Sequence, residues 1–339
     1  MSPATTERHP LMEIRSLEVH FRTRRGVARA VNEVDLTLYE GERLGLVGES
    51  GSGKTTLLLA LLQMISPPGQ VVGGQVIMDG VDLVTLGEEE MRRLRLARIA
   101  MVPQGAMNSL NPVMRIEDQL RLVLEAHDEE GTLTRASIRE RTAELLEMVG
   151  LRPQVARLFP HELSGGMKQR ACIAMAISLS PRLILADEPT SALDVVVQRQ
   201  IMQTLGDLQG RLGATVLLVG HDMGLMAQFA QRVGIMYGGH LVEVGDVQDI
   251  FQHPQHPYTQ LLIGSVPSFA RRGEFSGIPG VAMSLLDPPP GCGFHPRCPR
   301  VMDRCRVRVP SLSDVGPRHQ SACLLHDADG AVAGTGSGP

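Results

Sequence analysis

Residues 48–55 read Gly48-Glu49-Ser50-Gly51-Ser52-Gly53-Lys54-Thr55 and match G-x-x-x-x-G-K-[ST] at every fixed position. Glycines at that spacing let backbone N–H groups turn inward around a polyphosphate, and the helix N-terminus behind them adds partial positive charge. In such a loop Ser50, Ser52 and Thr56 add donors, Lys54 reaches the outer phosphates, and the Thr55 hydroxyl can hold Mg²⁺. A second signal is Leu183-Ile184-Leu185-Ala186-Asp187-Glu188, an apolar run that ends in two carboxylates. Alone, such a pair is an ordinary helix-capping arrangement. Downstream of a phosphate loop, Asp187 suits Mg²⁺, directly or through water, and Glu188 suits the orientation or deprotonation of an attacking water.

These residues need a scaffold that brings strand ends together. The phosphate loop lies between a short apolar strand, Arg43–Val47, and a helix start at Thr56–Leu62, the context its chemistry requires. Earlier strands are expected at Glu13–Phe21 and Ala30–Tyr39, and later ones at Gln75–Met78 and Ile99–Val102. Residues 113–180 read as mostly helical, broken near Gly131, Gly150 and Pro160. From 181 to 245, strands at Leu183–Ala186, Thr215–Val219 and Val233–Met236 alternate with helices at Val195–Arg211 and Gly224–Gln231. The alternation predicts an α/β fold: a mainly parallel sheet with helices on both faces. Beyond Gly245 prolines break up regular structure, so a boundary is expected near residue 246.

The 339 residues allow one large domain and a smaller one, and 43% hydrophobic with 21% charged residues predicts a sizeable core. Lys and Arg number 33 against 37 Asp and Glu, a net charge of −4, which gives no global attraction for nucleic acid. The N-terminal residues carry no apolar signal-like run, and no stretch approaches the roughly 20 apolar residues of a spanning helix. A cytosolic protein is expected, with any membrane role supplied by a partner.

With these motifs in place, a family resemblance becomes specific. Leu163-Ser164-Gly165-Gly166-Met167-Lys168-Gln169-Arg170 resembles the signature of ATP-binding-cassette (ABC) ATPases. Gln104 after Met101-Val102-Pro103, Ser191-Ala192-Leu193-Asp194, and His221 after Leu217-Leu218-Val219-Gly220 fall in the family's order, as its Q-loop, D-loop and switch histidine. Met107-Asn108-Ser109-Leu110-Asn111-Pro112 and His253-Pro254-Gln255-His256-Pro257-Tyr258-Thr259 resemble the ATPases of oligopeptide, dipeptide and nickel importers.

The resemblance implies a P-loop ATPase with an N-terminal antiparallel β-subdomain, a helical subdomain near 105–180 inside an 11–245 nucleotide-binding domain, a 246–326 C-terminal domain, and a disordered 327–339 tail. It implies ATP and Mg²⁺ as ligands, Mg²⁺ falling to Thr55, Gln104 and Asp187. Glu188, His221 and Gln104 would be catalytic. Ser164, Gly165, Gly166 and Gln169 would meet the nucleotide of an opposing subunit, beside Ser191 and Asp194. Adenine would stack on Phe21, or on an arginine plane within Arg22–Arg25.

The implied partners are a second, related ATPase, two membrane permeases contacted near Gln104–Pro112, and an extracytoplasmic substrate-binding protein, with this chain on the cytoplasmic face of the membrane. The implied cargo is peptide, with nickel or oligosaccharides as alternatives. A soluble ABC ATPase acting on nucleic acid or ribosomes is a rival, but the chain has neither the long coiled-coil insertion nor the second cassette those carry.

Four of the five cysteines, Cys292, Cys298, Cys305 and Cys323, crowd into roughly the last fifty residues. Their Cys-x5-Cys-x6-Cys-x17-Cys spacing fits paired zinc ribbons poorly. Four thiolates can hold a [4Fe–4S] cube, and Cys298-Pro299 matches the proline that follows a ligand in ferredoxin-type sites. Members of the importer group carry a similar C-terminal motif, some with such a cluster. A structural [4Fe–4S] site is therefore expected, with Zn²⁺, no metal, or a disulfide as alternatives.

Overall fold

The computed structural model describes residues 8–105, 109–265 and 277–327. Met107 and Asn108 lie outside the described residues, as does the expected tail beyond Asp327, which itself pairs with Arg308 at 3.1 Å.

The chain opens with a long hairpin, β1 (Pro10–Thr23) and β2 (Gly26–Tyr39), then β3 (Arg43–Val47), α1 (Lys54–Leu61), β4 (Gly69–Met78) and β5 (Val81–Asp82). After α2 (Glu88–Leu94) and β6 (Ile99–Val102) come three helices, α3 (Ile116–Glu125), α4 (Arg135–Met148) and α5 (Gly165–Ala176). Alternation follows: β7 (Leu183–Asp187), α6 (Val195–Leu212), β8 (Thr215–Gly220), α7 (Met223–Phe229) and β9 (Arg232–Tyr237). β10 (His240–Asp246), α8 (Val247–Gln252), α9 (Pro257–Gly264), β11 (Ser313–Gly316) and β12 (His319–Ser321) complete the described elements.

Two sheets result. One is antiparallel, in the order β2-β1-β4-β5. The other has the order β11-β12-β10-β9-β3-β8-β7-β6, with β9, β3, β8, β7 and β6 parallel and the rest antiparallel. The expected parallel sheet and N-terminal antiparallel sheet are both present. At residue 246 the sheet does not stop: two strands from the C-terminal region extend its edge beyond β10.

The parallel strands are buried on both faces, which is why they read as unbroken apolar runs. Successive side chains point to opposite sides. Leu183, Leu185, Leu217 and Val219 join α1 and the antiparallel sheet in one core. Ile184, Ala186, Val216 and Leu218 join α5, α6 and the helical region in the other. Burying these faces is worth roughly 25 cal/mol per Å² of apolar surface, the main force holding the strand ends in place.

A buried polar node ties the C-terminal region to this sheet. Glu243 of β10, with no exposed surface, accepts the Gln255 and His256 N–H groups at 2.7 and 2.9 Å, and contacts His319 Nε2 of β12 at 2.7 Å. Burial opposes its charge, but these partners outweigh it and hold the carboxyl below its usual range. His256 caps α9, its Nδ1 accepting the Tyr258 N–H at 3.0 Å, and burial pushes it down to about 4.

Both groups make the fold acid-sensitive. His256 is protonated in the unfolded chain below its ordinary value near 6.5 but stays neutral when folded. Its effect is absent above that value and costs stability as pH falls from there towards about 4, by at most about 1.4 kcal/mol per pH unit. Glu243 adds a further loss only below the usual carboxylate value. Urea midpoints are expected to fall between about pH 7.5 and about pH 5, and His256→Asn, which keeps a capping oxygen, should flatten that slope. Equal slopes in both proteins would remove His256 as the cause.

Candidate functional site

The phosphate loop spans the C-terminal end of β3 and the start of α1. Two of its glycines admit no side chain: a Cβ on Gly48 would stand 2.1 Å from the Met236 carbonyl oxygen, and one on Gly53 2.0 Å from that of Ala30. Gly53 also has a φ of 101°, in the region that favours glycine. Lys54 is buried, and its ammonium donates to the Gly48 and Glu49 carbonyls at 2.9 Å each and to Ser52 Oγ at 3.2 Å. Burial lowers its pKa, while the carboxylates of Glu188, Asp187 and Glu49 oppose that shift. Ser50, Gly51 and Thr55 are exposed, Thr56 is half-buried and Ser52 is buried. Phosphate oxygens in the loop would take over the bonds Lys54 now makes to its own backbone.

Sheet order explains how distant motifs meet. β3, β8, β7 and β6 are parallel neighbours, so their C-terminal ends form one row. The phosphate loop follows β3, His221 follows β8, Asp187 and Glu188 end β7, and Gln104 follows β6. Glu188 stands at the meeting point. Its carboxylate accepts from Gln104 Nε2 at 3.2 Å and contacts His221 Nδ1 at 3.3 Å, while its own N–H donates to the Val219 carbonyl at 2.9 Å. Glu188 has a φ of 44°, an uncommon left-handed conformation for a residue with a side chain. His221 is largely exposed, its ring free to move towards a bound ligand.

Asp187 is 1% exposed, and neither carboxylate oxygen has a hydrogen-bond partner among the described residues. Burial pushes its carboxyl up and the Glu188 charge adds to that, while the Thr55 hydroxyl, close by but not in hydrogen-bonding geometry, and the Lys54 ammonium pull it back. An orphaned buried carboxylate beside a loop threonine fits a hydrated Mg²⁺, which would supply the missing partners.

The signature residues do not complete this site from within the chain. Ser164 caps α5, its Oγ accepting the Met167 N–H at 3.3 Å, and Gly165 and Gly166 are partly exposed. Among the described residues no hydrogen bond joins them to the phosphate loop. Asp194 caps α6 by accepting from Val196 and Val197, both at 3.0 Å, and Ser191 is half-buried in a cleft of about 190 Å³ with Glu188 and His221. Gln169 requires a correction. It is 3% exposed and, among the described residues, its Nε2 has no partner, so the side chain points into the fold and away from the surface that would meet another subunit. Five residues on from Ser164, the helix has rotated about 140° past one full turn, which carries Gln169 to the core face of α5.

Phe21 is half-buried, its ring seated where Gly69 lacks a side chain; a Cβ there would lie 2.5 Å from Phe21 Cε1. The neighbouring Arg22, Arg24 and Arg25 are exposed.

The expected metal centre is not formed as a ligand set: among the described residues no three of the His, Cys, Asp and Glu side chains gather closely enough to hold an ion. The four cysteines do line one small cavity of about 10 Å³, beside His256 and Phe294. Burial pushes the Cys292, Cys298 and Cys323 thiols up, Cys323 to about 11, so these three are protonated as they stand.

Two further residues reach the loop, and the motif pattern did not single them out. Tyr258 Oη accepts the Glu49 N–H at 2.9 Å, and Arg297 binds the Glu49 carboxylate through two bonds of 2.6 and 2.9 Å. Both stand in stretches recognisable from sequence only as family markers.

Comparison with known proteins adds to this geometry. Residues 31–191 match the ABC transporter family, and residues 242–305 match the C-terminal region of oligopeptide/dipeptide transporters. A probable peptide ABC transporter ATP-binding protein of Sinorhizobium fredii, y4tR, is 44% identical, covering 92% of this chain and 94% of its own. The dipeptide transport ATP-binding protein DppD of Escherichia coli is 41% identical, covering 92% and 96%. Among solved structures, the dimeric cassette MJ0796 in a post-hydrolysis state bound to ADP and Pi is 29% identical, with a TM-score of 0.63 over 70% of this chain and 98% of its own.

The burial of Gln169 yields a test. Gln169→Leu is expected to leave binding of a fluorescent ATP analogue, and turnover in the assembled complex, within about threefold of the parent, since it exchanges one buried side chain for another of similar size. Lost turnover in a folded variant would return Gln169 to the shared nucleotide site.

Proposed function

The chain belongs to the ABC transporter ATP-binding family, and from that premise we propose that it hydrolyses ATP to drive import of di- and oligopeptides through partner permeases. It is an ATPase of the importer type. The observation that carries the residue roles is the meeting of Gln104, Glu188 and His221 on one carboxylate at the edge that holds the phosphate loop. Among the described residues no helix is long and apolar enough to cross a membrane. Membership of the importer family supports assigning the chain to the cytoplasmic face as a peripheral subunit, beside two permeases, a second related ATPase and an extracytoplasmic binding protein. Peptide cargo is supported by the relatives' names and by the match to the C-terminal region.

In the proposed mechanism the loop N–H groups and Lys54 hold the β- and γ-phosphates, with Phe21 against the adenine. Thr55, Asp187 and Gln104 would hold Mg²⁺, which would neutralise phosphate charge. Glu188 orients a water in line with the γ-phosphorus and accepts its proton as the bond to ADP breaks. His221 swings from Glu188 to the departing phosphate. Ser164, Gly165 and Gly166 act on the nucleotide of the partner ATPase, with Ser191 and Asp194 at the shared boundary. The four cysteines are assigned to a structural [4Fe–4S] cluster, with zinc as the alternative. What supports it is that all four cysteines face one space; that space of about 10 Å³ has room for about one water, so loading would have to open it and remove the protons burial now retains.

Glu188→Gln in the purified complex is expected to keep ATP binding, lower hydrolysis by about 10²–10⁴-fold and stop uptake of a labelled dipeptide. Substantial residual hydrolysis would overturn the role of Glu188. For the cysteines, anaerobically purified protein is expected to absorb near about 400 nm and to contain iron and sulfide. Stoichiometric zinc would replace the cluster, and protein without metal would remove both.

A further inference from the structure

We infer that Arg297 and Tyr258, both from the C-terminal region, are positioning residues that set the phosphate loop for ATP. This rests on the ATPase reading above and extends it. Glu49 is the second residue of the loop, at a position the motif leaves free. Its carbonyl accepts from Lys54 Nζ at 2.9 Å, so its backbone fixes where the phosphate-binding ammonium sits. Its N–H is held by Tyr258 Oη at 2.9 Å, from a side chain with no exposed surface. Its carboxylate is gripped by Arg297 in a two-bond fork of 2.6 and 2.9 Å.

Arg297 is itself locked. Its side chain is 5% exposed, Nε donates to the Pro279 carbonyl at 2.8 Å, and Nη2 to that of Ile278 at 3.4 Å. The guanidinium lies 5.8 Å from the Tyr237 ring and 5.9 Å from the Phe294 ring. Tyr237, Tyr258 and Phe294 pack against one another at centroid distances of 4.7 to 5.3 Å.

The charge balance gives the pair a function beyond packing. A free carboxylate at Glu49 would stand in a loop built for a polyanion and repel the incoming triphosphate. Arg297 neutralises that carboxylate and turns it away, leaving the loop N–H groups to the phosphates. Arg297 is also one residue before Cys298 and five after Cys292, so the position of the cysteine cavity and the geometry of the loop are mechanically joined.

The test is ATPase kinetics in the assembled complex, with thermal unfolding followed alongside. Arg297→Ala is expected to raise KM for ATP by about ten- to a hundredfold, the range for losing a charged hydrogen-bonded pair, with a smaller change in kcat. Adding Glu49→Gln to that variant removes the exposed charge and should recover most of the KM loss. Tyr258→Phe, which deletes one oxygen and keeps the ring packing, should raise KM about threefold, and it serves if Arg297→Ala fails to fold. Parent KM in Arg297→Ala, or no recovery in the double variant, would overturn the inference; if Arg297→Ala does not fold, parent KM in Tyr258→Phe would do so. Failure of the underlying ATPase reading looks different: the parent complex itself would not turn over ATP.

Discussion

Parallel pairing of β3, β8, β7 and β6 is the constraint on which the site depends. Strands that run the same way end at the same edge, so residues far apart in sequence become neighbours there. The pairing also buries these strands on both faces, which forbids polar side chains until the strand ends. Val47 gives way to the phosphate loop, Ala186 to Asp187, and Gly220 to His221. The change from apolar to polar that terminates each strand thus also delivers a chemical group to the common edge.

That edge is organised at a cost in local strain and desolvation. Glu188 holds a left-handed backbone, a state worth about 1–3 kcal/mol of strain, and its bond to the Val219 carbonyl on the neighbouring strand keeps it there. Lys54 is desolvated but satisfied by its own loop, whereas Asp187 is desolvated and unsatisfied. A buried unpaired carboxylate is costly, so a cation and its waters beside Thr55 would relieve strain already present. The two groups therefore differ in kind: Lys54 must give up partners to bind phosphate, and Asp187 only gains them.

The sequence made this edge legible because its residues obey local rules. A loop pattern between strand and helix, and a carboxylate pair after an apolar run, need no tertiary knowledge, and each strand expected from 43 to 236 is present. What was not legible depends on direction rather than residue type. Gln169 looks like a signature contact by position, yet the turn of α5 carries it inward. Asp194 reads as a D-loop residue and is a helix cap as well. The cysteine spacing implies a ligand set, but spacing says nothing of whether thiols converge to bonding distance. β11 and β12 were missed because short polar strands carry no periodicity, and β12 joins β10 at Glu243 and Val244, with His319 reaching the Glu243 carboxylate, too far apart for any local pattern to connect.

Among the described residues, the polar groups that join the C-terminal region to the nucleotide domain include Glu243 with His319 and Glu49 with Arg297. A buried ion pair is weak support for stability, because desolvation of both charges offsets most of their attraction. Apolar contacts would fasten the region as firmly. What they would lack is direction: a guanidinium fork accepts a carboxylate in one plane, and Arg297 is oriented for it by the Pro279 carbonyl. The hydrophobic packing of Tyr237, Tyr258 and Phe294 can account for attachment, and the polar pair then accounts for register. Register is what a phosphate loop needs, since a displacement of about 1 Å in a positioned group can cost a hundredfold in rate.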